Sequence, residues 1–351
     1  MSRQTHLLPT PTKKVIMAKR PERVTIVDVA RAAGISVSSA SVALRGEPGV
    51  SAPTRDRVQA TANRLGYQPD QRARVLREQR SRLLGVTFAV DHAFDSALVE
   101  NLYLAAADTG YDLVLSASTA NRPDAEAVAS LLRDRCPTLL LISPAISPAQ
   151  LVELTERAAV VVIGSDLRAD RVDTVHSDDL QGVAVAVDHL VELGHRSITY
   201  VDGGTAVLSA ARRDGYRAAM AARGLGARST VISGAPTEEA GISAARRMLD
   251  GDELPTAVLT HNDQMGLGLL LTLRQHGVDV PGQLSIVGYD DTPMAALTMV
   301  RLTSVSQDVR QLARAAITRA IVRTEDPGAP AEDFVAAPTL VVRDTTGPRR
   351  G

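Results

Sequence analysis

The pattern of apolar and polar positions changes character near residue 83. Before it, apolar residues recur at helical spacing in three short segments that end by Tyr67. After it, short apolar runs alternate with amphipathic helical segments as far as about residue 342. Buried strands that alternate with helices are typical of parallel sheets covered on both faces. The pattern therefore predicts an all-α head followed by a doubly wound α/β body.

The three segments of the head carry helix start and stop signals. Thr25 and Asp28 can form a capping box for the first helix, and Gly34 can end it. Ser36 can cap the second helix, and the third runs from Ser51 to Leu65. Two short helices joined by a Gly-containing turn describe a helix-turn-helix.

The body is too long for one sheet. Some 270 residues of strand and helix pattern predict two lobes with parallel doubly wound sheets. Strands are expected at 84–90, 112–116, 138–142, 159–163, 197–201, 257–260, 285–289 and 339–342. Helices are expected at 96–109, 123–134, 148–157, 180–193, 209–223, 238–250 and 263–276. A last helix, 306–323, has one apolar face that includes Val305 and Ile321.

Charge divides the chain in the same way. Residues 1–82 hold 16 Lys and Arg against 6 Asp and Glu, a net charge of +10, whereas the remainder holds 23 against 34, a net charge of −11. A basic head on an acidic body is typical of a protein that meets nucleic-acid phosphate with one end. The alternative is a solvated basic N-terminus, and residues 1–22 read as a disordered basic tail within which Met17 is a second candidate start.

Several classes of protein are disfavoured. Cys136 is the only cysteine, so an intrachain disulfide and a cysteine-based zinc finger are excluded. No apolar run reaches membrane-spanning length and the N-terminus lacks a secretion signal, so a cytoplasmic, non-membrane protein is expected.

Chemistry of the enzyme type is not expected. There is no phosphate-binding glycine motif and no nucleophile set, so we expect neither an enzyme nor a cofactor. His176 and His261 have no partner at metal-ligand spacing, and His195 reads as structural.

An ordered series of motifs carries a resemblance to a known family. The head sequence VTIVDVARAAGISVSSASVALRGEPGVSAPTRDRVQATANRLGYQP is followed by ITYVDGG, ARRDGYRAAM, LTHNDQMGLGLL, PGQLSIVGYDD and LTSVSQD. Over residues 23–346 the chain resembles the lactose-repressor/galactose-repressor (LacI/GalR) family. The resemblance implies a DNA-binding transcriptional regulator, most often a repressor, that works as a homodimer on a pseudo-palindromic operator of double-stranded DNA.

The resemblance also implies a domain organisation. It places the helix-turn-helix domain at 23–68, a hinge helix at 69–82, and an effector-binding and dimerisation body at 83–346, with a tail at 347–351. The body is similar to periplasmic binding proteins, and the chain crosses between its lobes three times. The first lobe is expected at about 83–177 and 306–335, and the second at about 178–305 and 336–346.

At the DNA end, the resemblance assigns base-reading positions to Val37, Ser38 and Val42. Val42 stands where many members carry Arg, so the contact of an arginine with guanine is lost and contact with a thymine methyl is expected in its place. The alternative is that Val42 packs against the first helix. Short donors and a cation suited to phosphate oxygens surround these positions: Thr25, Ser36, Ser38, Ser39, Ser41 and Arg45. Solvated surface or simple helix capping is the alternative for several of them.

In the connector, Leu76 aligns with the hinge leucine that the family inserts into the minor groove. Arg72 and Arg74 should line that groove or its phosphates.

At the effector end, the resemblance places Phe94, Arg212, Asn262 and Asp290 around a small molecule, a sugar or related metabolite, that binds between the lobes. The alternatives are packing for Phe94, a surface salt bridge for Arg212, a helix cap for Asn262 and a turn for Asp290. Asp263 reads as the cap of the helix that follows it.

Two departures from the family bear on the effector. Ala235 and Pro236 stand where many members have an acidic and an aromatic residue, and Gly164 stands where some carry a ligand-binding Asp. These departures leave open a repressor without effector control. A secreted solute-binding protein is the remaining alternative, and the basic head argues against it.

Overall fold

The computed structural model describes residues 24–45, 49–67 and 81–350. The predicted basic tail and most of the predicted hinge, including Arg72, Arg74 and Leu76, lie outside these ranges. The chain divides into two compact units, residues 1–80 and residues 81–351.

The head is built from three helices, α1 (Ile26–Ala33), α2 (Val37–Arg45) and α3 (Ala52–Leu65). The predicted capping box is present, because the Thr25 hydroxyl accepts from the Asp28 N–H and the Asp28 carboxylate accepts from the Thr25 N–H. Gly34 ends α1 in the left-handed region at φ 68°. The axis turns by 101° between α1 and α2, within the range of a helix-turn-helix.

Small aliphatic side chains fill the head core, among them Val29, Ala40 and Val58. Their size lets three short helices approach closely, and among the described head residues no fully buried apolar side chain is larger than valine.

The body contains two six-stranded sheets, one in each lobe, with helices on both faces. The first lobe comprises β1 (Leu83–Ala89), α4 (Ala93–Ala106), β2 (Asp112–Ser118), α5 (Asp124–Arg133), β3 (Thr138–Ile142), α6 (Pro148–Thr155), β4 (Ala159–Ile163), β5 (Val172–Ser177), α11 (Val309–Glu325) and β11 (Asp333–Ala336). Its strands are all parallel, in the order β11-β5-β4-β3-β1-β2.

The second lobe comprises α7 (Asp179–Glu192), β6 (Ile198–Val201), α8 (Ser209–Ala222), a 3₁₀ turn (Gly226–Arg228), β7 (Thr230–Ile232), α9 (Glu238–Leu249), β8 (Ala257–Thr260), α10 (Asp263–Gln275), β9 (Ser285–Asp290), β10 (Thr303–Ser306) and β12 (Thr339–Val341). Its strand order is β12-β10-β9-β8-β6-β7. The strands are parallel except β12, which runs antiparallel to β10.

The chain passes between the sheets after Ser177, after Ser306 and after Ala336. Helix α11 packs on the first-lobe core, where Leu312 and Ile317 lie beside Leu98 and Leu102 of α4. The prediction that Val305 lies on the apolar face of this helix was wrong. It is a strand residue of β10, and the helix begins only after Asp308, which caps it.

The last residues are not a tail as predicted. The Ser285 hydroxyl accepts from the Gly347 N–H at 3.1 Å, and the Leu193 carbonyl accepts from the Arg349 N–H at 2.9 Å. These hydrogen bonds hold Gly347 and Arg349 against the second lobe. In the described part of the chain, no single helix has the length and apolarity to cross a membrane, although α1 and α2 meet those criteria as a bent pair.

Candidate functional site

A cavity of about 480 Å³ lies between the two lobes of the body. Residues that follow the carboxyl ends of β1, β2, β3 and β4 line its first-lobe wall. The second-lobe wall comes from residues that follow β6, β8 and β9. The carboxyl ends of parallel strands are where ligands bind in open α/β sheets, and the volume is that of a small-molecule site.

The four residues that sequence reasoning placed at this end all line the cavity: Phe94, Arg212, Asn262 and Asp290. They come from both lobes and are up to 196 positions apart in sequence. Phe94 also belongs to the first-lobe core, so its ring both packs and contributes to the wall.

Arg212 is 4% exposed, and two of its three guanidinium nitrogens have partners within the protein. Its Nε donates to the Asp179 carboxylate at 2.7 Å and its Nη1 donates to the His261 carbonyl at 2.8 Å. The guanidinium carbon lies 3.7 Å from the ring centre of Tyr289, a cation–π contact. The side chain is therefore held in one orientation at the base of the cavity.

Asp290 sits beside Arg212, with 3.8 Å between its Oδ1 and the guanidinium Nη1. The same Oδ1 accepts from Gln307 Nε2 at 2.7 Å. Burial raises the pKa of Asp290 to about 8, against the opposing effect of Arg212 and with a contribution from nearby Asp263.

Asn262, rather than Asp263, is the cap of α10. Its Oδ1 accepts from the Met265 N–H at 2.9 Å, and its Nδ2 donates to the Pro236 carbonyl at 3.1 Å. Asp263 instead points into the lobe, where Thr292 and Ser304 donate to its carboxylate. The prediction that Asp263 caps this helix was wrong, because the Asp263 carboxylate accepts hydrogen bonds from Thr292, in the turn after β9, and from Ser304.

Gly164 cannot be exchanged for the acidic residue that some family members carry. Its φ is +73°, which disfavours any L side chain, and a Cβ would lie 2.9 Å from Ser143 Oγ and 3.5 Å from a Phe94 ring carbon. Ser143 and Phe94 occupy the space that a carboxylate would need.

Sequence reasoning missed several polar residues of the wall. They include Asp91, His92, Asp124, Ser143, Gln264 and Gln307. Ser143 and Gln307 directly follow β3 and β10, and Asp91 and His92 lie two and three residues after β1, so the rule that ligands bind at the carboxyl ends of strands could have found these four. Gln264 links the lobes, since its Nε2 donates to the Asp91 carbonyl at 3.1 Å.

The head presents a different surface. Val37 is 37% exposed at the start of α2, and Ser38 is exposed beside it. Ser36 is also exposed, and its hydroxyl accepts from the Ser39 N–H at 3.0 Å. Ser36 therefore caps the helix, which is the alternative to phosphate contact given above.

The other predicted DNA-contact residues of the head differ in how exposed they are. Ser41 is only 8% exposed, which leaves little of this residue accessible for the predicted phosphate contact. Val42 is half-buried. One of its methyl groups lies next to Gly49, 3.6 Å from where a Cβ on that glycine would be. Arg45 ends α2, and Thr25 is exposed at the start of α1.

Among the residues that the structure describes, no three His, Cys, Asp or Glu side chains come together to form a metal site. His176 instead contacts Asp333, and His195 contacts Ser285, both at 3.0 Å.

A helix-turn-helix head and a two-lobed body with an interlobe cavity define a class of ligand-responsive DNA-binding regulators. Two family models match the chain: bacterial regulatory proteins of the lacI family over residues 25–70, and the periplasmic binding protein-like domain over residues 187–346.

Individual proteins agree. The HTH-type transcriptional regulator GalR of Escherichia coli K12 is 31% identical over 324 residues, which cover 91% of this chain and 94% of GalR. A crystal structure of a LacI transcriptional regulator from a Rhodococcus species is 41% identical, covers 76% of this chain and 98% of its own, and has a TM-score of 0.73. The Lac repressor dimer bound to operator and the anti-inducer ONPF is 26% identical, covers 93% of this chain and 100% of its own, and has a TM-score of 0.79.

The chain belongs to the LacI family of bacterial regulatory proteins. It is a DNA-binding transcriptional regulator whose body carries a small-molecule site between two lobes.

Proposed function

We propose that this protein is a homodimeric repressor that binds a pseudo-palindromic operator and releases or tightens its hold when a small hydroxylated metabolite enters the interlobe cavity. The observation that carries the proposal is the cavity itself, lined from both lobes by Arg212, Asn262 and Asp290. A ligand that touches both lobes fixes the angle between them, and only such a differential interaction can shift the protein between two states.

In the DNA complex, the exposed start of α2 enters the major groove. Val37, Ser38 and Val42 read base edges there, with Ser36, Thr25 and Arg45 at the phosphates. Val42 supplies an apolar surface for a thymine methyl. Arg72, Arg74 and Leu76 act in the minor groove, where one leucine from each subunit opens the central base step.

Exposed apolar side chains support the dimer. Tyr103 and Leu104 of α4 and Leu115 of edge strand β2 are 47%, 69% and 38% exposed in the first lobe. Leu271, Leu297 and Met299 are exposed in the second lobe, Met299 at 81%. A second copy that covers both sets would bury an apolar surface on each lobe, and relative lobe movement would then change the spacing of the two heads.

A repressor without effector control is the second candidate. Arg212, Asn262 and Asp290 all have partners within the protein, so they have no unmet need for a ligand. Under this alternative the cavity has no regulatory role, and its lining affects stability alone.

We infer in addition that the protein has no catalytic activity and works in the cytoplasm. Its relatives are transcriptional regulators, and the described residues include no cluster of three His, Cys, Asp or Glu side chains that could hold a metal ion.

The proposal is tested by sequencing DNA fragments that the purified full-length protein selects, with and without a panel of metabolites. A palindromic site whose recovery changes with one metabolite supports the proposal. A palindromic site that no metabolite affects supports the effector-free repressor, and recovery of no palindromic site contradicts both.

A further inference from the structure

The first-lobe wall of the cavity contains three carboxyl groups. Asp91 follows β1, Asp95 lies in the first turn of α4, and Asp124 begins α5, and all three line the space. Asp95 is 2% exposed and accepts from the Ala89 N–H at 2.8 Å. Asp124 accepts from the Ala145 N–H at 2.8 Å, and Asp91 is exposed at the edge of the cavity.

These groups are close enough to influence one another. The pKa of Asp95 is raised to about 7, first by burial and then by the negative charges of Asp124 and Asp91. The N-terminal turns of α4 and α5 line the cavity and each holds a carboxyl group, so the dipoles of these two helices offer a ligand no unbalanced positive end.

The described cavity residues contain little positive charge to balance these carboxylates. Arg212 is the one guanidinium among them, and it is committed to Asp179, the His261 carbonyl and the Tyr289 ring. His92 is at the mouth, and burial together with Arg212 lowers the pKa of His261 to about 3, which keeps that ring neutral.

We propose that the effector is an amine-bearing, polyhydroxylated small molecule whose protonated amino group sits against Asp91 and Asp124. This inference rests on the proposed function, because it gives the chemical class of the ligand of that same cavity. The hydroxyl groups face the second lobe, where Asp290, Arg212 and Asn262 lie.

The reason is the desolvation of charge. A ligand that fills the cavity removes water from the Asp91 and Asp124 carboxylates, and buried carboxylates without a counter-charge are strongly disfavoured. An ammonium group supplies that charge and forms charge-assisted hydrogen bonds. A neutral sugar leaves the carboxylates unbalanced, and a phosphorylated or carboxylated ligand adds repulsion.

The test uses matched ligands on the full-length protein, with binding measured by calorimetry and by the shift in melting temperature. D-Glucosamine and D-galactosamine are compared with D-glucose, D-galactose, N-acetyl-D-glucosamine and D-glucose 6-phosphate. N-Acetylation keeps the nitrogen but removes its charge. We expect an amino sugar to bind at least about tenfold more tightly than its hydroxyl and N-acetyl counterparts.

Substitutions then locate the contact. Asp124→Asn keeps an oxygen for the Ala145 N–H, and Asp91→Asn alters an exposed residue, so both should fold. Each should weaken binding of the amino sugar about tenfold and leave any binding of the neutral sugar unchanged. Asp252→Asn, which removes an exposed carboxylate remote from the cavity lining, is the matched control and should have no effect.

Tighter binding of a neutral, N-acetylated or phosphorylated sugar would overturn the inference, as would the failure of both amino sugars to bind or an unchanged affinity in both Asn variants. None of these results touches the proposed function, which fails if the protein selects no palindromic DNA site or if no metabolite in the panel changes the recovery of that site.

Discussion

Arg212 contacts three residues at the cavity: it pairs with Asp179, lies near Asp290 and stacks on the ring of Tyr289. Removing one partner of a buried ion pair leaves the other charge without compensation. The residue therefore supports the structure of the second lobe as well as the proposed ligand site.

Arg212→Leu should lower the free energy of unfolding of the body by about 3–5 kcal/mol, because the Asp179 carboxylate is then left without its cation. Denaturant unfolding of the full-length protein measures this change. Arg217→Leu removes an exposed arginine from the same helix, beside Asp214, and should change stability by less than about 1 kcal/mol. Equal effects of the two substitutions would contradict the assigned role of Arg212.

The raised pKa of Asp95 makes the stability of the body depend on pH. The folded state keeps a proton on Asp95 up to about pH 7, whereas the unfolded chain releases it near pH 4. This contribution is therefore complete below about pH 4 and is lost as the pH rises to 7 and above, by at most about 4 kcal/mol.

Asp95→Asn should remove that dependence, because the amide keeps an oxygen for the Ala89 N–H and carries no charge. The variant should match the wild type at pH 4.5 and exceed its stability at pH 8, measured by urea unfolding. Asp108→Asn, at an exposed position, is the control and should follow the wild type at both values. A variant less stable than the wild type at pH 8 would rule out this account.

At the residue scale, the positions that sequence motifs singled out lie together in the fold. The motifs around Arg212, Asn262 and Asp290 located three cavity residues, but Asp91 and Asp124 belong to no motif, and only the fold brings both of them to the cavity wall. The sequence could not show that Ser41 is buried. Its burial depends on how α2 packs against the other helices, which a serine-rich helix start does not reveal.

Helices α9 and α10 approach each other closely at two glycines. A Cβ on Gly241 would lie 2.0 Å from the Met265 carbonyl oxygen, and one on Gly268 would lie 2.2 Å from the Glu238 carbonyl oxygen. The absence of both side chains lets the two backbones touch, which brings the Asn262 end of α10 to the cavity.

Gly241→Ala should push these helices apart and lower the melting temperature, with a loss of about 1–3 kcal/mol or more. Gly226→Ala provides the comparison, because the nearest atoms there are 3.5 Å away, at ordinary contact distance. The comparison substitution should stay within about 0.5 kcal/mol of the wild type. Comparable losses at both positions would contradict the close-approach explanation.

The capping box gives a prediction for the head. Thr25→Ala removes the hydroxyl that accepts from the Asp28 N–H and should destabilise α1 by about 1 kcal/mol. Amide hydrogen exchange over residues 26–33 of the full-length protein should then be about fivefold faster. Thr25→Ser keeps the hydroxyl and should exchange at the wild-type rate, so a fast-exchanging serine variant would argue against the cap.

Element prediction failed where strands are polar or short. Strand β5 has the sequence VDTVHS, and its Asp173 is fully buried because Arg319 and Arg323 donate to it from α11. Partners about 150 residues away cannot be inferred from a local pattern. Strands β7, β10 and β11 have only three or four residues and are defined by their neighbours in the sheet.

The opposite charges of the two ends of the chain give a prediction for the whole molecule. Operator affinity should fall about 10³- to 10⁵-fold between 50 and 200 mM salt, as phosphate contacts of the basic head release counterions. Filter binding at several salt concentrations measures the slope. Arg45→Ala should reduce its magnitude by about one, and Arg217→Ala in the body should not. A slope near zero would contradict phosphate contact by the head.

The three crossings between the sheets have a consequence for biosynthesis. The first lobe starts at Leu83 but receives its edge strand β11 only at Asp333–Ala336, and β12 completes the second lobe at Thr339–Val341. During translation, neither lobe can close its sheet until almost the whole polypeptide has left the ribosome. A premature stop codon shortly before residue 333 would therefore leave two unfinished sheets with open edges, a substrate for proteases in place of a partly active regulator.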